Sequence, residues 1–555
     1  MSIIRNKFNA NKPLARRIFA CLIGIFVFIW YLWQSHYLTY NTDAVFLLYS
    51  AKSLASGNIN LRGWAFPACN FFFLDQIPFF IGYLLAGLRP IVPEVIGPLN
   101  FSILTVAAIT CASVNLDKQY FRAALALLLV SAIAPSNPAF TFAVFSPWHV
   151  LTISIALGLF ILDARYYEKN WLRRQVWTVP MIALTTFSDP LFITIYIIPT
   201  IIARALTLIR GKNTDGKIGL DLFKRNLEIV LGIAGAIFVH GVFVLTDGLK
   251  TVGVNVAFDN LHNIKNNLIN VAVNWATLFY KRPIDFRYLH LIALAGLALA
   301  VLAAVIVSAT IVRAICCVKG NAFLQNSADR DYLLLVLSFA SITQIAACAA
   351  SAQYTWALAH TNPLSSLLAV RYVFPAYVFG ALALIRALPS GKAFSLWAIT
   401  VLCVLLVTVS DALHFNIKRR NSHGARVSAE YGKKKIVRLV RILKHDKLTC
   451  GYGPYWDSYT IGLGTKPNIF ILPVSEVGPK IVPRVWQSEA EWYSSRPPCV
   501  ANFVIRKAHQ RLSFGGLKKV AIVRTFGKPD KQVSVGDYRV YMYNHAINFI
   551  SRYKQ

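Results

Sequence analysis

Long apolar runs separated by short polar connections recur along most of the 555-residue chain. A run of about 18 or more apolar residues is long enough to cross a hydrocarbon core as a helix. This length rule predicts about eleven spans, near 18–38, 93–114, 120–137, 148–163, 176–188, 191–209, 226–246, 289–315, 331–352, 370–386 and 394–411. The pattern is typical of a polytopic α-helical membrane protein.

The charge of the short connections predicts the orientation of these spans. Lys and Arg occur in the N-terminus and in "DKQYFR", "DARYYEKNWLRR", "RGKNTDGKIGLDLFKRN" and "VKGNAFLQNSADR", whereas the connections 138–147 and 353–369 carry neither. Basic loops stay in the cytoplasm. This orientation is consistent only if 76–88 does not cross the membrane. Residues 39–92 are therefore predicted to form one large external loop, with two short interfacial helices near 43–55 and 76–88.

The pattern changes after the last span. Short alternating runs, "PNIFILPV", "VANFVIR" and "YRVYMYN", predict strands. We therefore expect a cytoplasmic N-terminus over 1–17, a transmembrane domain over 18–411 and an extracytoplasmic α+β domain over 412–555. A second external loop is expected over 247–288. The basic stretch 418–447 is either an amphipathic helix near anionic headgroups or a solvated surface helix.

Composition agrees with a membrane protein. The chain is 56% hydrophobic and 15% charged, against about 25% charged residues in soluble domains. The net charge of +33 falls largely in short loops and in the C-terminal region, so the predicted partner of this charge is membrane lipid and not nucleic acid. The nine cysteines include no CxxC pair. Cys450 and Cys499 would share the outer domain and are candidates for a disulfide.

Two acids stand in the first external loop. Asp43 directly follows the first span, where it either complements the dipole of a helix capped by Asn41 or Thr42, or acts as a general base or metal ligand. Asp75 is the one charge in "WAFPACNFFFLDQIPFF". It either begins the helix from Gln76 or is a functional carboxylate that its apolar surroundings desolvate.

A third acid, Asp189 in "TTFSDPLF", separates two apolar runs. An unpaired acid there costs about 2–3 kcal/mol on insertion scales, so it should pair or face water. Candidate partners on the same side are Arg371, Arg62 and His149. Arg371 is either the anchor of a span end or a clamp for a lipid phosphate. His149 is either a catalytic group or an interfacial histidine beside Trp148.

Acids and cations predicted on one membrane face suit chemistry on a phosphate-linked lipid. A carboxylate can deprotonate an acceptor hydroxyl while cations hold the phosphate leaving group. Asp43, Asp75 and Asp189 are also a candidate set for a divalent cation, Mg or Mn, although their spacing matches no dedicated metal motif.

This layout resembles the C-type (GT-C) glycosyltransferases, integral membrane enzymes that use polyprenyl-phosphate-linked sugars. Those enzymes carry an essential acid just after the first span, and Asp43 matches that position. A second acid is often found later in the same loop, and Asp75 is the candidate. The stretches "GWAFPACNFFFLDQIPFF", "FSDPLF", "RYVFP" and "GYGPYWDSYTIGL" are similar to recurring features of uncharacterised bacterial relatives. Here Ala44 follows Asp43 where a paired acid is common.

The resemblance implies a hexosyl- or pentosyltransferase of the bacterial inner membrane, with its C-terminal domain on the outer side. The donor would be a polyprenyl-phosphate-linked sugar and the acceptor a lipid-linked glycan or an envelope polymer. Asp43 would be the base, Asp75 and Asp189 supporting acids, and Arg371 the phosphate clamp. The alternatives are a transporter or flippase of lipid-linked glycans and a non-catalytic envelope assembly protein.

The C-terminal domain offers one further candidate. Tyr455, Trp456 and Asp457 can form a sugar-binding platform, with aromatic faces for a pyranose ring and an acid for its hydroxyls. The alternative is a core cluster with an acid in a turn. No oligosaccharyltransferase-type WWDYG is present, so a peptide acceptor is not expected.

Overall fold

The computed structural model describes residues 12–35, 42–67, 69–114, 119–131, 149–166, 171–210, 218–252, 259–277, 328–351, 367–387, 435–463, 465, 469–494, 497, 499–508 and 516–549. Its helices are α1 Lys12–Ser35, α2 Thr42–Ala55, α3 Gln76–Ala86, α4 Ile91–Ser113, α5 Gln119–Ser131, α6 Val150–Tyr166, α7 Trp171–Ser188, α8 Ile198–Arg210, α9 Ile218–Leu245, α10 Leu261–Thr277, α11 Ala328–Ala350, α12 Leu367–Ala387, α13 435–445, α14 Tyr455–Gly462 and α15 Lys519–Phe526. A π-helical turn, Ile193–Ile197, leads into α8.

Short strands complete the fold. They are β1 Trp64–Phe66, β2 Lys250–Thr251, β3 Cys450–Pro454, β4 Phe470–Val477, β5 Lys480–Pro483, β6 Ser488–Glu489, β7 Phe503–Lys507, β8 Lys531–Val535 and β9 Tyr538–Met542. All but β1 and β2 lie in the C-terminal region, so the protein is mostly helical with a sheet-containing C-terminal part, as the sequence pattern predicts.

Three described helical segments are long and apolar enough to cross a membrane: Ile91–Ser113, Leu222–Leu245 and Tyr332–Ala350. Described helices at other predicted spans contain shorter apolar segments, among them Cys21–Trp33, Val150–Ala164, Ile193–Leu208 and Tyr372–Ala387. The predicted spans 289–315 and 394–411 lie outside the described residues. The described part of the chain therefore supports three candidate spans, and the count of about eleven is not supported.

The apolar faces of these helices share one core. Contacts join α1, α5 and α6 to α4, α7 to α9, and α11 to both α8 and α12. The buried cluster between them includes Phe101, Leu104, Leu157, Phe160, Tyr196 and Phe379. On the opposite face of α9, Ile237 and Phe238 are exposed. A helix that buries one apolar face and exposes another is expected where lipid surrounds the bundle.

The two short helices of the first loop are confirmed as α2 and α3. They have 14 and 11 residues, or about 21 Å and about 16 Å at 1.5 Å per residue, which is too short to cross a hydrocarbon core comfortably. Gln76 ties them together, because it accepts a hydrogen bond from Ser50 Oγ at 2.7 Å and donates to the Leu47 carbonyl at 3.1 Å. Gly87, with φ of 68°, ends α3 in a left-handed conformation that favours glycine.

A small sheet joins three distant parts of the chain. Strand β1 pairs in parallel with β2, which follows α9, with Phe66 opposite Thr251. It pairs antiparallel with β6 of the C-terminal region, with Trp64 opposite Glu489. The sequence pattern did not predict this sheet, because strands of two or three residues give no alternation to detect.

The C-terminal sheet has six strands in the order β5-β4-β3-β7-β9-β8. Strand β3 runs parallel to both β4 and β7, and the remaining pairs are antiparallel. Leu439 and Leu443 of α13 are buried against this sheet, so the described end of the basic stretch 418–447 is a surface helix of the domain. The disulfide predicted between Cys450 and Cys499 is confirmed, with 6.0 Å between the Cα atoms.

The C-terminal domain packs directly on the first loop through α14 and α2. The rings of Tyr49 and Tyr459 lie 4.7 Å apart between their centroids. A Cβ atom at Gly462 would lie 2.5 Å from the Ile469 carbonyl oxygen and 2.8 Å from Tyr49 Oη. The absence of a side chain at this position therefore permits the close contact between α14 and its neighbours.

Candidate functional site

Asp189 is buried in the turn between α7 and the π-helical turn. One carboxylate oxygen, Oδ2, lies 2.6 Å from His149 Nδ1 and accepts a hydrogen bond from Thr152 Oγ1 at 2.5 Å. The other, Oδ1, accepts from the Leu191 N–H at 3.1 Å. His149, one of the candidate partners, is thus in contact with Asp189. Both side chains are almost fully buried, at 0% and 2% exposure, so this pair is an internal polar centre.

The loop over residues 39–92 docks on this turn. The N–H groups of Phe71 and Phe73 donate to the carbonyl and the hydroxyl of Ser188, each at 3.0 Å. Asn70 Nδ2 donates to the Phe187 carbonyl at 2.8 Å. Three hydrogen bonds, from Asn70, Phe71 and Phe73, thus hold "NFFF" against the end of α7.

Two non-glycine residues at this contact have left-handed backbones. Phe71 has φ of 53° and His149 has φ of 61°, and their rings lie 5.8 Å apart. Such conformations are uncommon outside glycine and cost of order 1–3 kcal/mol each, so surrounding contacts must stabilise them. The hydrogen bonds of the loop to Ser188 and of His149 to Asp189 supply those contacts.

Cys69 joins the pair from the same loop. A Cys69 Sγ atom, a ring nitrogen of His149 and a carboxylate oxygen of Asp189 all lie within 4.8 Å of one another. Within the described residues this is the one group of three such donors. Among the described residues, the three acids predicted for Mg or Mn do not form such a group.

Asp75 lies at the start of α3 but makes no side-chain cap bond to it. Instead its Oδ1 atom accepts a hydrogen bond from Asn100 Nδ2 in α4 at 2.8 Å. Its Oδ2 atom is buried and has no hydrogen-bond partner among the described residues. Burial, reinforced by the negative charge of Asp189, raises the pKa of Asp75 well above its usual range. Asp75 thus stands where the helix from Gln76 begins, as one of the two predicted alternatives has it, while its side chain joins α3 to α4.

The pKa of Asp189 is shifted in the opposite direction to that of Asp75. Burial by itself raises the pKa of its carboxyl, but the charge of His149 and the hydrogen bonds from His149, Thr152 and Leu191 outweigh it and lower the pKa below the usual value. Two acids in one region thus have pKa values moved apart by their surroundings. Such pairs occur at catalytic sites and also in structural ion-pair networks.

Asp43 forms a second centre, at the junction of the first loop with the C-terminal domain. Its Oδ1 atom accepts a hydrogen bond from Tyr455 Oη at 2.9 Å, and the neighbouring Thr42 hydroxyl donates to the Tyr455 carbonyl. The Tyr455 hydroxyl also contacts the Gln487 side chain. Burial and the charge of Asp43 raise the pKa of Tyr455 well above its usual range. Its hydroxyl therefore stays protonated and donates a hydrogen bond to the carboxylate.

A guanidinium group lies beside this second centre. The Arg484 Cζ atom is 4.5 Å from the centroid of the Tyr455 ring and 5.1 Å from that of Trp486. Its Nη1 atom donates to Ser475 Oγ at 3.2 Å. Sequence reasoning missed Arg484. The available signal was the stretch "PRVW", in which an arginine stands two residues before a tryptophan. This stretch does not reveal that Arg484 packs on the ring of Tyr455, whose hydroxyl bonds to Asp43.

The predicted sugar platform is not a shared open surface. Tyr455 is fully buried, and Asp457 accepts hydrogen bonds from Lys507 Nζ and Tyr538 Oη, each at 3.0 Å. Tyr455 and Asp457 therefore have different partners, as expected if these residues form a core cluster and not a sugar-binding surface. The Trp456 side chain lies outside the described residues.

The two arginines predicted as candidate partners of Asp189 are Arg62 and Arg371. Arg62 is exposed and pairs with Asp247 at 3.2 Å, so its proposed pairing with Asp189 is wrong. Arg371 lies in α12, and its side chain is outside the described residues. The ring of the neighbouring Tyr372 lies 6.4 Å from that of His149, which brings this part of α12 to the Asp189 centre.

The fold and the site define a mostly helical protein with candidate membrane spans, in which an acid-bearing loop is held between the helices and a sheet domain. No family model matches the chain, no curated protein matches it, and no solved structure matches it.

Proposed function

We propose that this protein is a membrane glycosyltransferase with the C-type layout of about eleven spans. It would transfer a hexose or pentose from a polyprenyl-phosphate donor to a lipid-linked glycan or another envelope acceptor. The reaction would take place on the outer face of a bacterial inner membrane. The disulfide between Cys450 and Cys499 supports an oxidising compartment for the C-terminal domain.

The position of Asp43 carries the proposal. The acid follows the first apolar helix, and its carboxylate is buried where the first loop meets the C-terminal domain. A carboxylate, a phenol and a guanidinium meet there through Tyr455 and Arg484. These are the groups needed to activate a hydroxyl and to hold a phosphate.

The proposed chemistry assigns the base role to Asp43. A carboxylate has about four acceptor sites, so the Tyr455 hydroxyl can orient it while an acceptor hydroxyl donates to another site. Asp43 takes the proton as the hydroxyl oxygen attacks the anomeric carbon of the donor. The bond from that carbon to the phosphate oxygen breaks, and the phosphate leaves with the electron pair. Arg484, with Arg371, would neutralise the charge that develops on it.

The surroundings of the site suit a carrier with an acyl chain. Ile81, Leu84 and Leu85 on one side of α3 are exposed, and a short helix with an exposed apolar face lies well in a membrane interface. The loop that bears Asp75 is continuous with this helix and is bonded to the Asp189 turn. Asp75 and Asp189 would then support the substrate from the membrane side of the site.

The test is sugar transfer by membranes that contain the Asp43→Asn and Asp75→Asn variants at wild-type expression. Polyprenyl-phosphate-linked hexoses and pentoses serve as donors. Removal of a general base is expected to lower the rate by about 100-fold or more. Asp247→Asn is the matched control, because Asp247 is an exposed acid of the same region whose ion pairs lie at the surface. Full activity in both variants, or an equal loss in the control, would contradict the proposal.

A further inference from the structure

A second kind of chemistry is available at the Asp189 centre. Cys69, His149 and Asp189 come from the first loop, the start of α6 and the turn after α7, and their donor atoms all lie within 4.8 Å of one another. We propose that these three side chains bind a divalent transition-metal ion of the Zn²⁺ type. This inference does not rest on the proposed function, because metal binding is measured without a sugar donor.

The donor set selects the metal. One thiol sulfur, one imidazole nitrogen and one carboxylate oxygen are the three ligand types of protein Zn²⁺ sites. Mg²⁺ and Ca²⁺ prefer oxygen ligands alone, so neither suits a site with Cys69. Three protein ligands also leave one position of a tetrahedral Zn²⁺ site for water or substrate, which is the arrangement of catalytic sites and not of closed structural sites.

The site is built to hold its ligands in place. Asp189 Oδ2 lies 2.6 Å from His149 Nδ1, so the carboxylate and the imidazole of the proposed site are already in contact. Thr152 and the Leu191 N–H fix the carboxylate in turn. The burial of His149 and Asp189 removes competing water from most of the centre.

The backbone around the site is consistent with a ligand site. His149 has the left-handed φ described above, and Phe71, two residues after Cys69, has another. Hydrogen bonds from the loop to Ser188 and Phe187 hold Cys69 close to the turn. A bound ion would connect three segments that are separated by about 40 to 80 residues along the chain, and binding would stabilise the folded state over the unfolded one.

The experiment measures metal in the untagged full-length protein in detergent. The protein is stripped with a chelator, reloaded with Zn²⁺ and assayed by mass spectrometry of the metal, and Co²⁺ is added in parallel for absorption spectroscopy. We expect about one Zn²⁺ per chain and a thiolate-to-Co²⁺ charge-transfer band. Loss of a ligand should weaken affinity by more than the 10- to 100-fold typical of outer-shell changes. Cys69→Ala and His149→Ala should therefore lose the metal.

Two controls separate ligand loss from misfolding. Cys21→Ala removes an exposed thiol of α1 and should leave both signals unchanged. Cys69→His keeps three donors, so it should retain Zn²⁺ and lose only the charge-transfer band. Equal Zn²⁺ content in wild type and Cys69→Ala would overturn the proposal. If the Cys69 variants do not fold, a wild-type Co²⁺ spectrum without the thiolate band overturns it as well.

Discussion

Tyr455 connects two parts of the chain that are 412 residues apart, through the hydrogen bond from its hydroxyl to Asp43. The phenol is buried together with the carboxylate. A buried carboxylate without a donor carries a desolvation cost, so the hydroxyl does more than fill space. At the residue scale this contact connects the first loop to the C-terminal domain.

Replacement of this hydroxyl is expected to destabilise the protein. Tyr455→Phe keeps the ring under Arg484 but removes the donor to Asp43, which should lower the free energy of unfolding by about 1–3 kcal/mol. Thermal unfolding in detergent, followed by circular dichroism, measures the change. Tyr83→Phe is the control, because Tyr83 is a partly buried tyrosine of α3. An unchanged midpoint in Tyr455→Phe would show that Asp43 does not need this donor.

Individual residues were predictable to different degrees. Asp43, Asp75 and Asp189 stand out in the sequence because lone acids in apolar surroundings are rare, and the pairing of Asp189 with His149 was among the predicted options. Cys69 and Arg484 were not predictable as site residues. Their importance depends on which side chains they contact, and those contacts join segments far apart in the chain.

At the scale of elements, a second polar cluster lies at the opposite ends of the same helices. Arg204 of α8 donates to Asp163 of α6 at 2.8 Å and to Glu228 of α9 at 2.5 Å, and Tyr332 of α11 donates to Asp163 at 2.9 Å. Asp163 lies 14 residues after His149, or about 21 Å along α6. The helix pattern predicted α6, α8 and α9 but not this ionic network between them.

The Arg204 network predicts that loss of the Arg204 charge strongly destabilises the folded protein. Arg204→Met removes a buried cation that contacts two buried carboxylates, which should cost about 3–5 kcal/mol. The measurement is the midpoint of thermal unfolding in detergent. Arg62→Met provides the matched control, since the exposed ion pair of Arg62 with Asp247 should contribute about 0–1 kcal/mol. Similar midpoints for the two variants would mean that the Arg204 network contributes no more than a surface pair.

Across the described part of the molecule, the three acids assigned to catalysis lie at helix ends: Asp43 in the first turn of α2, Asp75 just before α3 and Asp189 just after α7. A transporter would be expected to carry broken helices near the membrane midplane and inverted repeats. We find no internal repeat in the sequence. The position of these acids at helix ends and the lack of a repeat favour the proposed enzyme over the transporter alternative.

The C-terminal domain should depend on its disulfide. Cys450 and Cys499 are separated by 49 residues, and the chain-entropy relation gives about 4 kcal/mol for a loop of that length. Reducing agent is therefore expected to lower the unfolding midpoint of the wild type but not of a Cys450→Ser, Cys499→Ser double variant. Cys21→Ser should respond to reductant as the wild type does. A wild-type midpoint that reductant leaves unchanged would contradict the expectation.

The sequence by itself determined the mostly helical class, the two short helices of the first loop, the sheet-containing C-terminal region and the lone acids. These features depend on local length, periodicity and composition. Only the tertiary structure decided that β1 pairs with β2 and β6, that Tyr455 bonds to Asp43, and that Cys69 lies with His149 and Asp189. Such contacts join residues that are far apart in the chain, and no local pattern records which partner burial will bring to a buried polar group.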